Sequence, residues 1–352
     1  MINRICVDLR HIRFRIVATA ISALPMQGHI YITAAEAFAS ADEYSASGKP
    51  FFIAVDFELQ RALFYPADNI PKTIHIECRD FSCHSLQAQA DTPELSATPM
   101  PFGIYKQGFE HIQRQIQAGD SYLVNYTAAT DITSTASLAQ IYAVASARFK
   151  LLVDGEFVVF SPEPFITITG QTISAFPMKG TIDASIPHAE AIILRDVKEK
   201  AEHATIVDLL RNDLSKVSNQ VTVNRYRYIE TIKTSQTQLL QVSSEIAGTL
   251  LPHYKHRIGS ILAELLPAGS VSGAPKKKTL EIIKTAEQES RGFYCGIMGI
   301  FDGHNFSSGV LIRYIESTAT GLRYRSGGGI THQSTAESEY KELIDKIYVP
   351  TT

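Results

Sequence analysis

Two pairs of glutamates have the spacing of a metal site. Glu199 and Glu202 are three residues apart, as are Glu339 and Glu342, and both pairs fall in segments that we predict to be helical. Positions i and i+3 share one face of a helix, so each pair directs two carboxylates the same way. A few hard oxygen ligands of this kind suit Mg²⁺. Lysines stand near both pairs, so an ordinary solvated helix face remains the alternative.

A lysine and an arginine are placed where a substrate could meet them. Lys179 lies in the segment PMKGT (residues 177–181), directly after a predicted strand. A lysine that leaves a strand beside a glycine can point into a cavity and act there as a nucleophile. Arg313 stands in the apolar run VLIRY (residues 310–314), which we predict to be a strand, and a guanidinium there needs a partner. A substrate carboxylate would bind it bidentately. The alternatives are a surface turn for Lys179 and a salt bridge from Arg313 to Glu316 or Glu337.

Two glycine-containing segments could approach a ligand closely. Residues 267–276 (PAGSVSGAPK) are small, and we expect Ser272 to cap the helix that follows, with Pro275 in its first turn. The start of that helix would favour an anion, although the spacing is not that of a phosphate-binding P-loop and a structural turn is the alternative. Residues 327–329 are three glycines whose backbone N–H groups could add donors.

The elements that must position these residues mix strands and helices without regular alternation. We predict strands over 51–57, 62–76, 122–127, 156–176 and 291–330, helices over 108–117, 137–149, 196–214 and 335–347 and after Ser272, and a linker over 80–101. This order predicts an α+β fold with two packed, largely antiparallel sheets and helices on the outside.

Three segments are expected along the chain. We interpret residues 1–25 as a disordered extension, residues 26–99 as a short N-terminal part, and residues 100–352 as the catalytic domain. The uncharged run 16–35 contains Pro25, Gly28 and His29, so it fits neither a signal peptide nor a membrane span.

The composition excludes several classes of protein. The 33 basic and 36 acidic residues give a formal net charge of −3, which does not suit a nucleic-acid binder. The four cysteines form no CxxC pair and no zinc-like cluster, which is typical of reduced, cytoplasmic thiols.

Taken together, these motifs resemble those of the chorismate-utilising enzymes, and most closely the aminodeoxychorismate synthase component I branch. The resemblance runs from about residue 100 to the C-terminus. Its segments are 161–163 (SPE), 177–181 (PMKGT), 198–203 (KEKAEH), 208–214 (DLLRNDL), 267–276 (PAGSVSGAPK), 291–296 (RGFYCG), 312–313 (IR) and 327–342.

The resemblance implies a chorismate-binding fold and a set of site residues. It implies a Mg²⁺ ion held by Glu202 and Glu339, with Glu199 and Glu342 beside it, that binds the ring carboxylate of chorismate. It also implies that Arg313 and Tyr294 hold the second carboxylate. Ser270, Gly328 and Gly329 would complete the substrate site.

Two positions bear on which reaction the resemblance implies. The aminodeoxychorismate branch has a lysine in the PxKGT motif, here Lys179, where the anthranilate branch has alanine. Isochorismate and salicylate synthases use a different lysine to activate water, and that position is Leu123 here, which cannot remove a proton. Leu123 also replaces a glutamine that is common in related synthases. Residues 1–100 lack the Leu-Leu-Glu-Ser motif that binds tryptophan in anthranilate synthases.

The resemblance therefore implies Mg²⁺-dependent amination of chorismate with ammonia to 4-amino-4-deoxychorismate, a precursor of 4-aminobenzoate and folate. Lys179 would form a covalent intermediate, and we expect Glu163 and Thr181 to assist proton transfer. None of the cysteines has the Gly-x-Cys-x-Gly context of an amidotransferase, so a separate glutamine amidotransferase subunit is expected to supply ammonia. The alternatives are an anthranilate synthase component I, a catalytically silent chorismate-binding subunit and, less favoured, a salicylate or isochorismate synthase.

Overall fold

In the computed structural model the described residues are 30–78, 81–87, 93–233 and 238–351. Residues 31–352 form one compact unit. The extension expected over residues 1–25 lies outside the described residues. The boundary that we predict between the N-terminal part (residues 26–99) and the catalytic domain (residues 100–352) remains a prediction.

Two antiparallel sheets lie at the centre of residues 31–352, which confirms the predicted α+β class. In chain order the strands are β1 (Phe51–Val55), β2 (Ala62–Pro66), β3 (Ile74–Cys78), β4 (Phe81–Cys83), β5 (Leu95–Thr98), β6 (Leu123–Ser134), β7 (Phe149–Val153), β8 (Phe157–Ser161), β9 (Pro164–Thr169), β10 (Thr172–Ala175), β11 (Met178–Asp183), β12 (Ser218–Lys233), β13 (Gln238–Leu250), β14 (Gly273–Ala274), β15 (Ile297–Phe301), β16 (Asn305–Val310), β17 (Tyr314–Thr318) and β18 (Gly321–Ile330). The first sheet has the order β11-β13-β10-β9-β16-β15-β1-β2, with β12 also paired to β13. The second has the order β14-β6-β18-β17-β8-β7-β3-β4, with β5 also paired to β6.

The first four strands are distributed between both sheets. In the first sheet β1 lies between β2 and β15, and Val55 pairs with Ile297. In the second sheet β3 lies between β4 and β7, and Ile74 pairs with Val153. Residues from the start and the end of the chain therefore complete the same two sheets.

Eight helices of the described residues surround the sheets. They are α1 (Ala34–Ala46), α2 (Phe102–Gln117), α3 (Leu138–Val144), α4 (Ala189–Arg195), α5 (Val197–Leu214), α6 (Ile258–Leu265), α7 (Lys276–Glu287) and α8 (Ala336–Asp345). Helix α1 packs on α6, α2 packs on α7 and α8, and α5 packs beside β11 and β13. None of the helices in the described part of the chain combines the length and apolar character needed to cross a membrane.

Strands β7 and β8 show why the sequence forms buried strands. Both are almost continuously apolar and fully buried, as expected for strands covered on two faces. Leu151 and Val159 contribute to the large core, whereas Leu152 and Val158 contribute to a second core with Ile141 of α3. Because side chains alternate along a strand, one apolar segment supplies two cores.

The structure corrects three predicted boundaries. Helix α2 begins at Phe102 rather than at residue 108, directly after Pro101. The predicted linker contains β4 and β5, and the mostly exposed side chains of β5 explain why no apolar pattern marked it. Helix α3 ends at Val144 rather than near residue 149, because the next apolar segment belongs to β7.

Gly259 tests the packing of α1 on α6. A Cβ atom at Gly259 would lie 1.8 Å from the backbone oxygen of Phe38, so the two helices would have to separate. We expect Gly259→Ala to lower the free energy of unfolding by about 2 kcal/mol or more, which urea denaturation would measure. Gly103→Ala in α2 is the matched control, since a Cβ there meets nothing within 4 Å. It should be neutral or stabilising by up to about 1 kcal/mol, and equal losses in both variants would contradict the packing argument.

Candidate active site

A cavity of about 570 Å³ contains every residue that the sequence assigned to the site. The predicted catalytic residues Lys179, Glu163 and Thr181, the predicted substrate contacts Arg313, Tyr294, Gly328, Gly329 and Ser270, and the predicted metal ligands Glu202, Glu339, Glu199 and Glu342 all line it. These residues come from both sheets, from two helices and from four loops or turns. The structure therefore brings the set together, while the role of each residue stays a prediction.

Lys179 lies in an irregular part of β11. The pairing of β11 with β13 shifts register between Met178 and Thr181, and Gly180 has a φ of +81° there. The Lys179 Nζ atom lies 3.7 Å from Glu202 Oε2. It also lies 3.7 Å from the position that a Cβ atom on Gly329 would occupy. The lysine side chain thus extends from β11 of the first sheet toward Gly329 of β18 in the second sheet.

Helix α5 presents the first carboxylate pair. Asp196 caps the helix, because its Oδ1 accepts a 2.8 Å hydrogen bond from the Glu199 backbone N–H. A Cβ atom on Gly180 would lie 3.1 Å from Glu199 Oε2. With Glu202 facing Lys179, both carboxylates of α5 meet β11.

Helix α8 presents the second pair against β18. A Cβ atom on Gly328 would lie 3.3 Å from Glu339 Oε2 and 3.2 Å from Glu342 Oε1. The absence of a side chain at Gly328 therefore lets the strand approach two converging carboxylates. Glu339 is buried, with 3% of its surface exposed.

The carboxylates of these two pairs are the type of ligand that Mg²⁺ binds. Within the described residues no group of three or more His, Cys, Asp or Glu side chains is arranged so that it could hold a metal ion. Magnesium, however, is commonly bound through one or two carboxylates and completes its shell with water and substrate oxygens. The carboxylates of Glu339 and Glu342 converge in the cavity beside Gly328, which has no side chain. This arrangement meets that requirement.

Glu163 lies between β8 and β9 and is fixed by the loop that contains Ser270. The Ser270 hydroxyl donates a 2.6 Å hydrogen bond to Glu163 Oε1. Burial raises the pKa of the Glu163 carboxyl, and this effect outweighs the opposing effects of Ser270, Lys179, Lys346 and Arg313. A carboxyl group that holds a proton more readily than usual suits proton transfer.

Arg313 lies in a turn and not in the predicted strand. Strand β16 ends at Val310, β17 begins at Tyr314, and Arg313 has a φ of +56°. Residues 311 and 312 are apolar because they face the core, which produced the wrong assignment. The predicted alternative partners are occupied, since Glu316 binds Arg325 and Glu337 lies 4.0 Å from Lys106. Among the described residues Arg313 pairs with no carboxylate.

Tyr348 of the C-terminal segment covers Arg313. Its hydroxyl lies 3.4 Å from Arg313 Nη2, and the guanidinium carbon lies 5.0 Å from the centre of its ring. The backbone oxygen of Tyr348 accepts a 3.0 Å hydrogen bond from the Tyr324 hydroxyl, which fixes the segment. The arginine is therefore oriented toward the cavity by an aromatic ring.

Tyr294 is held by a loop that depends on Arg291. Tyr294 is buried, and burial raises the pKa of its phenol well above the usual value, so it is a neutral hydroxyl group. The Arg291 guanidinium makes two bonds to Glu287, one to the Val271 oxygen and one to the Asn125 oxygen, all between 2.6 and 2.8 Å. This one side chain links the Tyr294 loop, α7, β6 and the loop of residues 267–276.

The predicted role of Ser272 is wrong. Helix α7 begins at Lys276 after Pro275 and has no side-chain cap. The Ser272 hydroxyl instead donates a 2.9 Å hydrogen bond to the Ala268 oxygen within its own loop. Ser272 is too far ahead of the helix to reach its first N–H groups.

Asn125, Gln241, Lys346 and Tyr348 are among the cavity residues that were not predicted. Lys346 donates hydrogen bonds of 2.7 Å to the Gly327 oxygen and 2.6 Å to Glu342 Oε1. Its position four residues after Glu342 was a usable signal, because i and i+4 are neighbours on a helix. No local pattern marked the other three.

Comparisons with known proteins identify the family of the chain. Residues 72–352 match the family described as chorismate binding enzyme. The chain is 45% identical over 311 residues to an uncharacterized PabA-like protein of Haemophilus influenzae, covering 88% of this chain and 95% of that protein. It is 29% identical over 279 residues to aminodeoxychorismate synthase component 1 of Bacillus subtilis, covering 75% and 58%. The fold resembles MenF, the menaquinone-specific isochorismate synthase of Escherichia coli, with a TM-score of 0.68, 18% identity and coverage of 91% and 82%.

The buried pair Arg291–Glu287 can be tested by its effect on stability. Only 1% of the Arg291 side chain and 3% of the Glu287 side chain are exposed. We expect Arg291→Met to lower the free energy of unfolding by about 3–5 kcal/mol, because the Glu287 charge is left buried without its partner. The double variant Arg291→Met/Glu287→Leu should lose less than Arg291→Met alone. Urea denaturation would measure both, with Lys278→Met on the exposed face of α7 as a control expected to change by about 1 kcal/mol or less.

A double variant that is less stable than Arg291→Met would contradict the electrostatic explanation. It would mean that the hydrogen bonds that Glu287 accepts from Thr127, which only the double variant loses, outweigh the relief of the unpaired charge.

Proposed function

Because this chain belongs to the chorismate-binding enzyme family, we propose that it aminates chorismate with ammonia to form 4-amino-4-deoxychorismate, a precursor of 4-aminobenzoate and folate. The observation that carries the proposal is the position of Lys179, an amine in one cavity with two carboxylate pairs and with Arg313. The similarity to aminodeoxychorismate synthase component 1 of Bacillus subtilis supports it.

The cavity offers separate partners for the two carboxylates of chorismate. Arg313, which has no acidic partner among the described residues, would bind one of them bidentately with the Tyr294 hydroxyl and the Gly329 N–H nearby. Glu202 and Glu339, with Glu199 and Glu342 beside them, would hold Mg²⁺ at the ring carboxylate. When bound, the metal ion withdraws electron density from that carboxylate and fixes its position.

The first chemical step would be attack by Lys179. The neutral Nζ forms a bond to ring carbon 2, the electrons of the two ring double bonds shift toward carbon 4, and the bond from carbon 4 to the hydroxyl oxygen breaks. Glu163 donates the proton that lets the hydroxyl leave as water, and then accepts a proton from the alkylated lysine nitrogen. The raised pKa of Glu163 suits this double role.

The second step reverses the electron shift. Ammonia bonds to carbon 4, the double bonds return, and the bond between carbon 2 and Nζ breaks as Glu163 returns a proton to the departing lysine. The new ammonium group can pass a proton to Glu163 directly or through the Thr181 hydroxyl. The sum is chorismate plus ammonia giving aminodeoxychorismate and water, and covalent catalysis divides one difficult substitution into two easier ones.

Ammonia would come from a separate glutamine amidotransferase subunit. The cysteines of this chain lack the glycine-flanked context of an amidotransferase nucleophile. Free ammonium at high concentration should replace the partner, as long as enough of it is deprotonated.

Lys179 tests the covalent step. We expect Lys179→Ala to reduce formation of aminodeoxychorismate from chorismate, Mg²⁺ and ammonium about a hundredfold or more, because the nucleophile is lost. Chromatography of the product would measure this. Wild-type protein incubated with chorismate and Mg²⁺ but without ammonia should gain the mass of dehydrated chorismate at Lys179, and Lys179→Arg is the matched control that retains the charge but should not form the adduct.

The same assay separates the alternatives. Full activity of Lys179→Ala would exclude an essential lysine nucleophile. Anthranilate as the product would identify an anthranilate synthase, whereas chorismate binding without turnover would identify a silent binding subunit.

Glu202 and Glu339 test the metal site by binding rather than by activity. Calorimetric titration with Mg²⁺ in the presence of chorismate should show at least about tenfold weaker binding for Glu202→Gln and for Glu339→Gln, because each loses a charged oxygen ligand. Glu264→Gln on the exposed surface of α6 is the control and should bind as wild type does. Unchanged Mg²⁺ affinity in both site variants would exclude this site.

A further inference from the structure

Two amide side chains of the cavity have buried oxygen atoms that lack a hydrogen-bond donor. Asn125 Oδ1 and Gln241 Oε1 are excluded from solvent, and neither accepts a hydrogen bond from any described residue. Buried acceptors of native proteins are nearly always satisfied, so an unsatisfied pair in one cavity indicates a ligand that supplies donors.

The backbone of Asn125 is fixed on a strand whose neighbour, β18, lies close to the lysine amine. Its N–H donates a 2.8 Å hydrogen bond to the Ser272 oxygen, and its carbonyl oxygen accepts a 2.7 Å hydrogen bond from Arg291 Nη2. Asn125 pairs directly with Gly329 in the second sheet. The Cβ position of Gly329 is the one that lies 3.7 Å from Lys179 Nζ, and directly opposed residues have their Cβ atoms about 5 Å apart.

Gln241 lines the same cavity as Lys179 and belongs to the first sheet. It lies on β13 and pairs with Thr181, two residues after Lys179, and on its other side it pairs with Glu230 of β12. The two amides therefore line the cavity of Lys179 from opposite sheets.

The chemistry of the two amides selects the ligand. Chorismate carries two carboxylates, an ether oxygen and a single hydroxyl, so it offers only one hydrogen-bond donor for two acceptors. Ammonia offers three N–H donors and must keep its lone pair free to attack. A carboxylate would hold ammonium, which is not nucleophilic, whereas an amide oxygen accepts an N–H without taking up the proton.

We propose that Asn125 and Gln241 form the ammonia subsite of this enzyme, holding neutral NH₃ beside the lysine-bound ring through Asn125 Oδ1 and Gln241 Oε1. The inference rests on the proposed amination and adds to it the residues that recognise the second substrate. It assigns the two amides a task that the charged residues of the cavity cannot perform.

The test is steady-state kinetics with ammonium chloride as the varied substrate at saturating chorismate and a fixed pH. Asn125→Ala and Gln241→Met remove one acceptor each, and Gln241→Met keeps the length of the side chain. We expect each variant to raise the KM for ammonia about tenfold, the change that corresponds to about 1.4 kcal/mol. The dissociation constant for chorismate, measured by calorimetry without ammonia, should stay within about twofold. Gln117→Met at the end of α2, outside the cavity, is the matched control and should change neither constant.

A third variant tests the neutrality of the site. Gln241→Glu retains the shape of the side chain but would hold ammonium. The activity of this variant should therefore fall at neutral pH, and it should need a higher pH than wild type to recover. This readout separates recognition of ammonia from a loss of folding, which would lower activity at every pH.

Each other outcome overturns the inference. Weaker chorismate binding with an unchanged KM for ammonia would mean that the amides hold the ring hydroxyl. Loss of the Lys179 adduct in the absence of ammonia would mean that they orient the lysine. Unchanged constants in both variants would exclude a binding role, while absence of any aminated product from wild-type protein would overturn the proposed function and the subsite together.

Discussion

The buried guanidinium of Arg291 is the interaction on which the site depends most. It binds Glu287 of α7, the Val271 oxygen and the Asn125 oxygen, and it lies 4.4 Å from the centre of the Phe57 ring. Glu287 in turn accepts hydrogen bonds from the backbone N–H and the hydroxyl of Thr127. A single ion pair thus fixes the distance between β6, α7 and two loops that line the cavity. In other proteins, replacing a buried ion pair by apolar groups often leaves the stability unchanged or raises it. We therefore attribute the role of this pair to the geometry that it imposes on the site and not to the free energy that it contributes to folding.

The cavity balances its charges with groups of the chain itself. Lys179 faces Glu202, Lys346 binds Glu342, and Glu163 accepts the Ser270 hydroxyl. Any cation that binds the glutamates must compete with these lysines, and any ligand carboxylate must meet Arg313 under the Tyr348 ring. Binding of a charged substrate and its metal ion is therefore an exchange of partners and not the filling of an empty space.

Much of the fold and of the site could be predicted from local patterns. The apolar segments of β1, β7 and β8 indicated buried strands, and the i, i+3 spacing of the glutamates correctly placed two carboxylates on one helix face. Arg313 was assigned to a strand because an apolar run indicates burial, which does not require strand hydrogen bonds. Leu311 is buried and Ile312 is partly buried, and both lie outside the sheet. Asn125 and Gln241 could not be recognised, because each is an ordinary polar residue of a strand. Whether such a residue borders a cavity depends on which distant strand lies opposite, and no local pattern contains that information.

The sharing of both sheets between the start and the end of the chain has a consequence for synthesis on the ribosome. Strand β1 is FFIAV, fully buried in the finished protein, and its partner β15 is translated more than 240 residues later, since Val55 pairs with Ile297. At about 5–20 residues per second the nascent chain therefore carries this apolar strand with one edge unpaired for roughly 10–50 s. Such an edge can pair with other chains during that time. The yield of folded protein should thus depend on translation speed and on chaperones that cover β1, and less on the stability of the finished fold.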